Sequence, residues 1–299
     1  MTIGIIPNIS KKDILDIVKM ITGLLRLNGF DYIISDSLAA FKSGFDDELN
    51  NAFFLSHSEL CRRSDMVISI GGDGTMLNTA YEVKDSSTPI IGVNFGKLGF
   101  LAEFDLDSFA VFLGDIGTSN YLIEERMALI ARCTDSRKTL YAINDIVIDK
   151  GPWPKMIELT VKVDDDYVAT FSADGIIIAT PTGSTGYSLS AGGPIVNPKA
   201  KAITLNPIAP HSLTMRPLVI SSDQKITVIV DSPSNKIQVS CDGQRVSFFN
   251  PPATIVIEKS NHPVRLVHSK RTNYFEILRN KLFWGLDVRK QNNSQKGIK

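Results

Sequence analysis

The sequence predicts two folds in series, an α/β domain built on a parallel sheet and then an all-β domain. Three observations predict this. In the first third, short apolar runs without charge alternate with stretches of helical periodicity, the pattern of β-α-β units whose helices cross over a parallel sheet. From about Tyr121 the texture changes to short β-branched runs separated by turn residues, which points to a sandwich or related multi-sheet fold. Residues 66–78 read MVISIGGDGTMLN: a strand runs straight into three glycines around one carboxylate. In open α/β sheets, ligands sit beyond the C-terminal ends of the strands, where such a turn lies.

The elements follow in order. Thr2–Pro7 is an apolar strand, and residues 11–28 place Ile14, Leu15, Val18, Ile21, Leu24 and Leu25 on one helical face, with Gly29 as the stop. Asp31–Ser35 is a second strand. Residues 39–55 have mixed polarity and weak periodicity and predict no definite element, while residues 58–63 close a short helix. Met66–Ile70, apolar except for Ser69, suits a strand buried on both faces. A helix then opens over residues 76–83. After Pro89, Ile90–Val93 is a further buried strand that ends in a second glycine-bearing turn, residues 94–100, and residues 107–116 form the last helix of this half. The second half predicts strands at residues 129–133, 143–149, 157–164, 167–172, 175–180, 225–230, 236–241, 244–249 and 253–258. Asp242-Gly243 between two of them is a hairpin signal. Residues 274–284 regain helical character, and the tail after Arg289 reads as disordered.

Composition bounds the function. A chain of 299 residues, 43% of them hydrophobic, is long for one domain and has ample core for two. Thirty-two basic residues balance thirty-two acidic ones, which argues against a dedicated nucleic-acid binder. Cys61, Cys133 and Cys241 are few, odd in number and far apart, so neither a disulfide framework nor a Cys-rich zinc site is indicated and a reducing compartment is expected. His57, His211, His262 and His268 lack metal-ligand spacing. The opening MTIGIIPNIS carries no signal or transit pattern, and the longest uncharged window, residues 175–198, is too rich in Gly, Pro, Ser and Thr to span a bilayer. The expectation is a soluble cytoplasmic protein without a membrane partner.

Two stretches carry chemistry. In Gly71-Gly72-Asp73-Gly74-Thr75 the glycines allow close backbone approach, and free N–H groups at a helix start attract phosphate oxygens. A carboxylate among such amides either holds a metal ion or takes a proton from an attacking hydroxyl, and phosphoryl transfer needs both. A plain turn in which Asp73 or Thr75 caps the helix accounts for the same residues. Neither a P-loop nor a G-x-G-x-x-G pattern is present. The second stretch, residues 174–198, crowds hydroxyls, small residues and amides around Thr182–Tyr187, groups suited to a polar, phosphate-bearing ligand on which Tyr187 could pack. A solvated linker would usually carry Lys, Glu or Asp.

These segments, taken together, resemble the NAD kinases, over nearly the whole chain. The resemblance rests on GGDGT at 71–75, GxLGFL at 96–101, Asn144-Asp145, DGIIIATPTGSTGYSLSAGGPIV at 174–196, PHSLTMRPLV at 210–219 and DGQ at 242–244. GGDG alone is shared with lipid kinases and phosphofructokinases; the combination is specific. The resemblance implies a Rossmann-like or phosphofructokinase-like α/β domain over residues 1–118 and a β-sandwich-like NAD-binding domain over 119–267. A C-terminal segment, 268–299, would pack back on the first domain, and the site would lie between the two domains. The implied reaction moves the γ-phosphoryl of ATP to the 2′-hydroxyl of the adenosine ribose of NAD, giving NADP and regulating the NAD/NADP balance.

Residue by residue, the resemblance makes Asp73 the proton acceptor and Gly71, Gly72, Gly74 and Thr75 a phosphate-binding turn. Contacts to NAD would come from Asp73, Gly74, Asn144, Asp145, Lys155, Asp174, Thr185, Gly186, Tyr187, Ser188, Leu189, Ser190 and Gln244. It implies a divalent cation, Mg²⁺, held mainly by the donor phosphates, and a homodimer or homotetramer. Asp145 stands where Glu is more usual, Gly186 where Ala is common, and Asn78 where many members carry a basic residue. From the residues alone, Asn144-Asp145 also fits a polar strand end and Asp242-Gly243-Gln244 fits plain hairpin geometry. A GGDGT-type lipid kinase and a non-catalytic NAD-sensing module remain as alternatives.

Overall fold

The structure, a computed structural model, describes residues 1–45, 49, 52–96, 99–134 and 136–283. It divides into two compact units, one of residues 1–76, 90–123 and 267–299, the other of residues 77–89 and 124–266. No helix among the described residues is long and apolar enough to cross a membrane.

In chain order the first part contains β1 (Thr2–Pro7), α1 (Ile14–Leu27), β2 (Asp31–Ser35), β3 (Phe54–Leu55), α2 (His57–Arg63), β4 (Met66–Ile70), α3 (Asp73–Glu82), β5 (Ile90–Val93), α4 (Leu106–Gly117) and β6 (Tyr121–Arg126). There follow β7 (Leu129–Cys133), β8 (Thr139–Ala142), β9 (Asp145–Asp149), β10 (Ile157–Val163), β11 (Asp166–Ala173), β12 (Gly175–Ala179) and a one-turn helix α5 (Tyr187–Ser190). The chain continues with β13 (Ala202–Ile208), β14 (Leu218–Ser221), β15 (Ile226–Asp231), β16 (Ile237–Cys241), β17 (Arg245–Phe249), β18 (Ala253–Lys259), β19 (Val264–Ser269) and α6 (Tyr274–Leu282).

A seven-stranded sheet in the order β3-β2-β1-β4-β5-β19-β6 forms the α/β fold. β1 pairs parallel with β2 and β4, and β4 pairs parallel with β5. β4 and β5 are buried along their whole length, as expected for strands covered by helices on both faces. Ile14, Val18, Ile21 and Leu25 of α1 and Phe109, Phe112, Leu113 and Ile116 of α4 join the same apolar core. Their spacings of three and four residues put each set on one helical face. α4 is fixed at its start by a capping box between Asp105 and Ser108. The stretch without a definite prediction holds a 3₁₀ helix, Asp36–Gly44, and the two-residue β3. Phe283 closes α6 in a left-handed conformation; Trp284, which the predicted helix includes, and the tail after Arg289 lie outside the described residues.

The β part is a sandwich of two antiparallel six-stranded sheets, β11-β10-β15-β18-β7-β8 and β14-β13-β12-β9-β16-β17. Both sheets contribute to one core. β10, β15 and β18 alternate buried and more exposed residues, as strands with one face on the core do. β9 and β12 are instead buried on both faces, because Val147, Ile177 and Ala179 meet Ala191 and Ile208 on the side away from the main core.

Beside β3, five further strands escape the sequence reading: β6, β8, β13, β14 and β19. Two are four residues long, and Pro207 interrupts the third. Proline is tolerated there because β14 pairs only with residues 202–205 of β13, so Pro207 needs no N–H on that side. β19 lies beside β5 in the first sheet although it follows the whole β sandwich in sequence. Periodicity assigns a strand but not the sheet it joins.

Candidate active site

The central turn forms where β4 ends. Gly71 N–H still donates to Val93 O of β5 at 2.8 Å, so the chain leaves the sheet only after this residue. Gly71 sits at φ +154°, and a Cβ on it would overlap the Thr75 side chain, so glycine is required here. Asn8 Nδ2, beyond the end of β1, donates to Thr75 Oγ1 at 3.2 Å.

α3 begins at Asp73 itself, three residues earlier than predicted. The Asp73 side chain reaches across to the second glycine-bearing turn. Its Oδ2 accepts the N–H of Phe100 at 2.9 Å, and its Oδ1 accepts those of Leu101 at 3.0 Å and Ala102 at 3.2 Å. A Cβ on Gly99 would fall inside the Asp73 carboxylate. Residues 71–75 and 99–102 are therefore one structure, with the carboxylate of the first filling the space left by the glycine of the second. A carboxylate offers about four acceptor directions. Three are used, and the remaining one is on Oδ2.

In the second unit the organising group is Asp242. Its Oδ1 accepts N–H groups from Ile143 at 2.9 Å, Asn144 at 2.7 Å and Asp145 at 3.3 Å. Its Oδ2 pairs with Arg245 Nη2 at 2.5 Å, and the Asp242 side chain is fully buried. The Arg245 guanidinium in turn lies over the Tyr81 ring, 4.4 Å from its centroid, a cation–π contact. The other side of the Ile143–Asp145 turn is held by Thr180, whose Oγ1 donates to Ile143 O at 2.6 Å and whose N–H donates to Asn144 O at 2.9 Å. Gly186 closes over the same turn: a Cβ on it would come within 3.7 Å of Asn144 Nδ2 and 3.9 Å of Asp145 Oδ2. Asn144 Oδ1 is buried and has no hydrogen-bond partner among the described residues.

Both buried carboxyl groups are pushed above the usual carboxylate range. Burial, and then the Asp242 charge, push Asp145 up to about 7. Burial also raises Asp242, and the amides of Asn144, Ile143 and Asp145 together with Arg245 oppose that rise. Between about pH 4 and pH 7 the folded state then binds a proton that the unfolded chain has released, and this contribution to stability falls as pH rises through that window. Asp145→Asn is expected to flatten it: the difference in urea midpoint between pH 5 and pH 8 shrinks relative to the parent, by an amount on the order of a few kcal/mol in unfolding free energy.

The remaining predicted residues fall into two groups. Thr185 and Leu189 are half-buried, and Tyr187 and Ser190 are exposed, on the turn and one-turn helix α5 that follow β12. Ser188 is buried and faces inward: its Oγ and O accept from Asn206 Nδ2 at 2.5 and 3.1 Å, which ties the loop to β13. Gln244 is exposed at the hairpin, where Asp242 and Gly243 both take positive φ as its turn requires. Asn144, Asp145, Gly186 and the hairpin thus come together. Asp174 and Lys155 do not join them. β12 runs antiparallel to β9 with Gly175 opposite Asp149 and Ala179 opposite Asp145, so Asp174 lies a strand's length from Asn144, paired with Lys150 at 2.8 Å. Lys155 is exposed two residues before Ile157, whose partner is Ala173, at that same far end.

Sequence reasoning missed Asp242, Arg245 and Thr180. Asp242 is the instructive case: hairpin geometry explained Asp-Gly completely, and no local signal reveals that its side chain points back to residues about a hundred positions earlier.

Comparison with known proteins adds identity to this geometry. Residues 3–121 match the model of the ATP-NAD kinase N-terminal domain, and residues 143–269 that of the ATP-NAD kinase C-terminal domain. An NAD kinase of Prosthecochloris aestuarii is 40% identical over 288 residues, covering 95% of this chain and 98% of that protein. One of Thermoanaerobacter pseudethanolicus is 38% identical over 284 residues, covering 94% and 98%. Among solved structures, yeast NADH kinase complexed with NADH matches at TM-score 0.84 and 26% identity, over 96% of this chain and 89% of that one. An NAD kinase from Archaeoglobus fulgidus in complex with ATP matches at TM-score 0.74 and 29% identity, over 94% and 98%. With both domain models matched in order and curated relatives aligned along almost the full length, the chain belongs to the ATP-NAD kinase family.

Proposed function

We propose that this NAD kinase works through a single proton acceptor, Asp73, whose Oδ2 takes the proton of the adenosine ribose 2′-hydroxyl as the γ-phosphoryl of ATP is transferred. The observation that carries the reading is the set of three N–H groups on the Asp73 carboxylate, which leaves one acceptor direction open, on Oδ2. A base fixed in this way needs no reorganisation when the hydroxyl arrives. Gly71, Gly72, Gly74 and Thr75 are assigned by resemblance as the turn that lies against phosphate oxygens at the start of α3, with the Gly71 N–H held by Val93 O rather than offered to the ligand.

Asn144 and Asp145 contact the bound NAD, with Asn144 Oδ1 as the acceptor still available there. Thr185, Gly186, Tyr187, Ser188, Leu189 and Ser190 form the wall of that subsite, with Ser188 acting through its hold on Asn206. Gln244, Asp174 and Lys155 are assigned to NAD by resemblance. Among the described residues no group of three or more His, Cys, Asp or Glu side chains is placed to hold a metal ion. We therefore assign the divalent cation, Mg²⁺, to the donor phosphates, with which it enters as substrate; bound there it neutralises their charge. Exposed apolar residues on the edge strands, Leu218 and Val219 of β14 and Val246 and Phe248 of β17, support assembly as a homodimer or homotetramer. The proposed location is the cytoplasm.

The purified chain is incubated with NAD, ATP and Mg²⁺, and NADP is followed with an NADP-specific dehydrogenase beside a metal-free control. Metal-dependent NADP formation is the expected result. Folded protein that makes no NADP or NADPH from NAD or NADH across several donors overturns the reading.

A further inference from the structure

The loop that holds Asp73 is itself held by the C-terminal segment. Glu103 directly follows Ala102, the last of the three amide donors, and its side chain is 9% exposed. Its Oε1 accepts the N–H of Ser269 at 3.1 Å and the hydroxyl of Thr272, and its Oε2 lies 2.5 Å from His268 Nδ1. All three partners belong to the end of β19 and the link to α6. One residue further on, the backbone of Phe104 is locked to the β5 strand: its N–H donates to Gly92 O at 3.1 Å, and its O accepts from Asn94 N–H at 2.8 Å. The loop is closed on itself by Gly99 N–H to Ala102 O at 3.2 Å.

Phe104 pairing fixes where the loop leaves the sheet, but it does not orient the amides of residues 100–102. Glu103 supplies that constraint, because three polar groups from one segment converge on a carboxylate adjacent to the donors. We infer that Glu103 is a positioning residue for Asp73: through His268, Ser269 and Thr272 it ties residues 99–102 to the C-terminal segment, so that three N–H groups converge on the Asp73 carboxylate. The segment after the β sandwich is thereby part of the catalytic apparatus without touching substrate. This inference rests on the reading of Asp73 as the proton acceptor.

The test is Glu103→Gln, made in the parent and in an Asp73→Asn background, with kcat and KM for NAD measured and folding checked by thermal melting. Gln keeps the shape but removes the charge and replaces one of the two acceptor oxygens with an amide donor. The expected result in the parent background is a fall in kcat of about 10- to 100-fold, the scale of a small misplacement of a reacting group, with KM for NAD within about twofold. In the Asp73→Asn background the same change is expected to cost nothing further, since the base it positions is gone. Thr272→Val, which removes one donor at an exposed position, is expected to act in the same direction more weakly and keeps the test open should Glu103→Gln fold poorly. Parent-like kcat in both folded variants overturns the inference, as does an equal loss in both backgrounds, which would mark a structural role alone. Near-normal turnover of Asp73→Asn by itself overturns the reading of Asp73, and this inference with it.

Discussion

Asp73→Asn is expected to lose at least about 10²- to 10⁴-fold in kcat, the range that positioned general-base catalysis supplies, while keeping the fold and the KM for NAD. The side-chain environment explains why the protein should tolerate the change. Oδ1 takes two of the three N–H groups and Oδ2 one, so Asn orients its carbonyl oxygen toward Leu101 and Ala102 and its amide toward Phe100. One donor then loses its acceptor, at a cost of about 1–3 kcal/mol. The atom placed at the open direction becomes a donor that cannot take a proton. Steady-state NADP formation together with a thermal melt separates the two effects. Near-normal turnover in a folded Asn variant would remove Asp73 from its role.

Asp242→Ala is expected to be the most destabilising single change in the second unit. It strips the acceptor from the N–H groups of Ile143, Asn144 and Asp145 and leaves Arg245 without its carboxylate. Breaking a buried pair by removing one partner costs about 3–5 kcal/mol, a large part of the 5–15 kcal/mol that typically holds a domain together. Asp242→Asn retains Oδ1 for the three amides and is expected to cost less. Urea unfolding of the two variants beside the parent measures the difference. Both are expected to raise KM for NAD, because the Asn144-Asp145 turn loses the group that orders it. Removing the Asp242 charge also takes away the second cause of the raised Asp145 value, so the pH window over which stability falls should end at lower pH in Asp242→Asn. A KM for NAD unchanged in folded Asp242→Asn would separate the turn from substrate binding.

The sequence by itself determined the order of the two folds, most of the strands and helices that carry them, and the family. Local physics explains why. A run such as Met66–Ile70 has no stable alternative to a strand buried on both faces, and the apolar stripe of α1 lies on one face only if it is helical. Glycines at positions 71 and 99 mark both stretches as turns in the sequence. What only the tertiary structure decided is which distant groups meet. That Gly99 is small because the Asp73 carboxylate occupies its side-chain space follows from packing, which periodicity does not encode. Asp242 fits a hairpin in the sequence and is also the clamp on a turn about a hundred residues earlier. Asp174 opens the same motif as Thr185–Ser190, yet it lies a strand's length from Asn144 in space, because an extended strand moves about 3.3 Å per residue. β19 crosses back to the first sheet and brings His268 and Thr272 to Glu103. Sequence specifies conformation through neighbours a few residues apart; side-chain chemistry depends on neighbours in space, and those are settled only when the core closes.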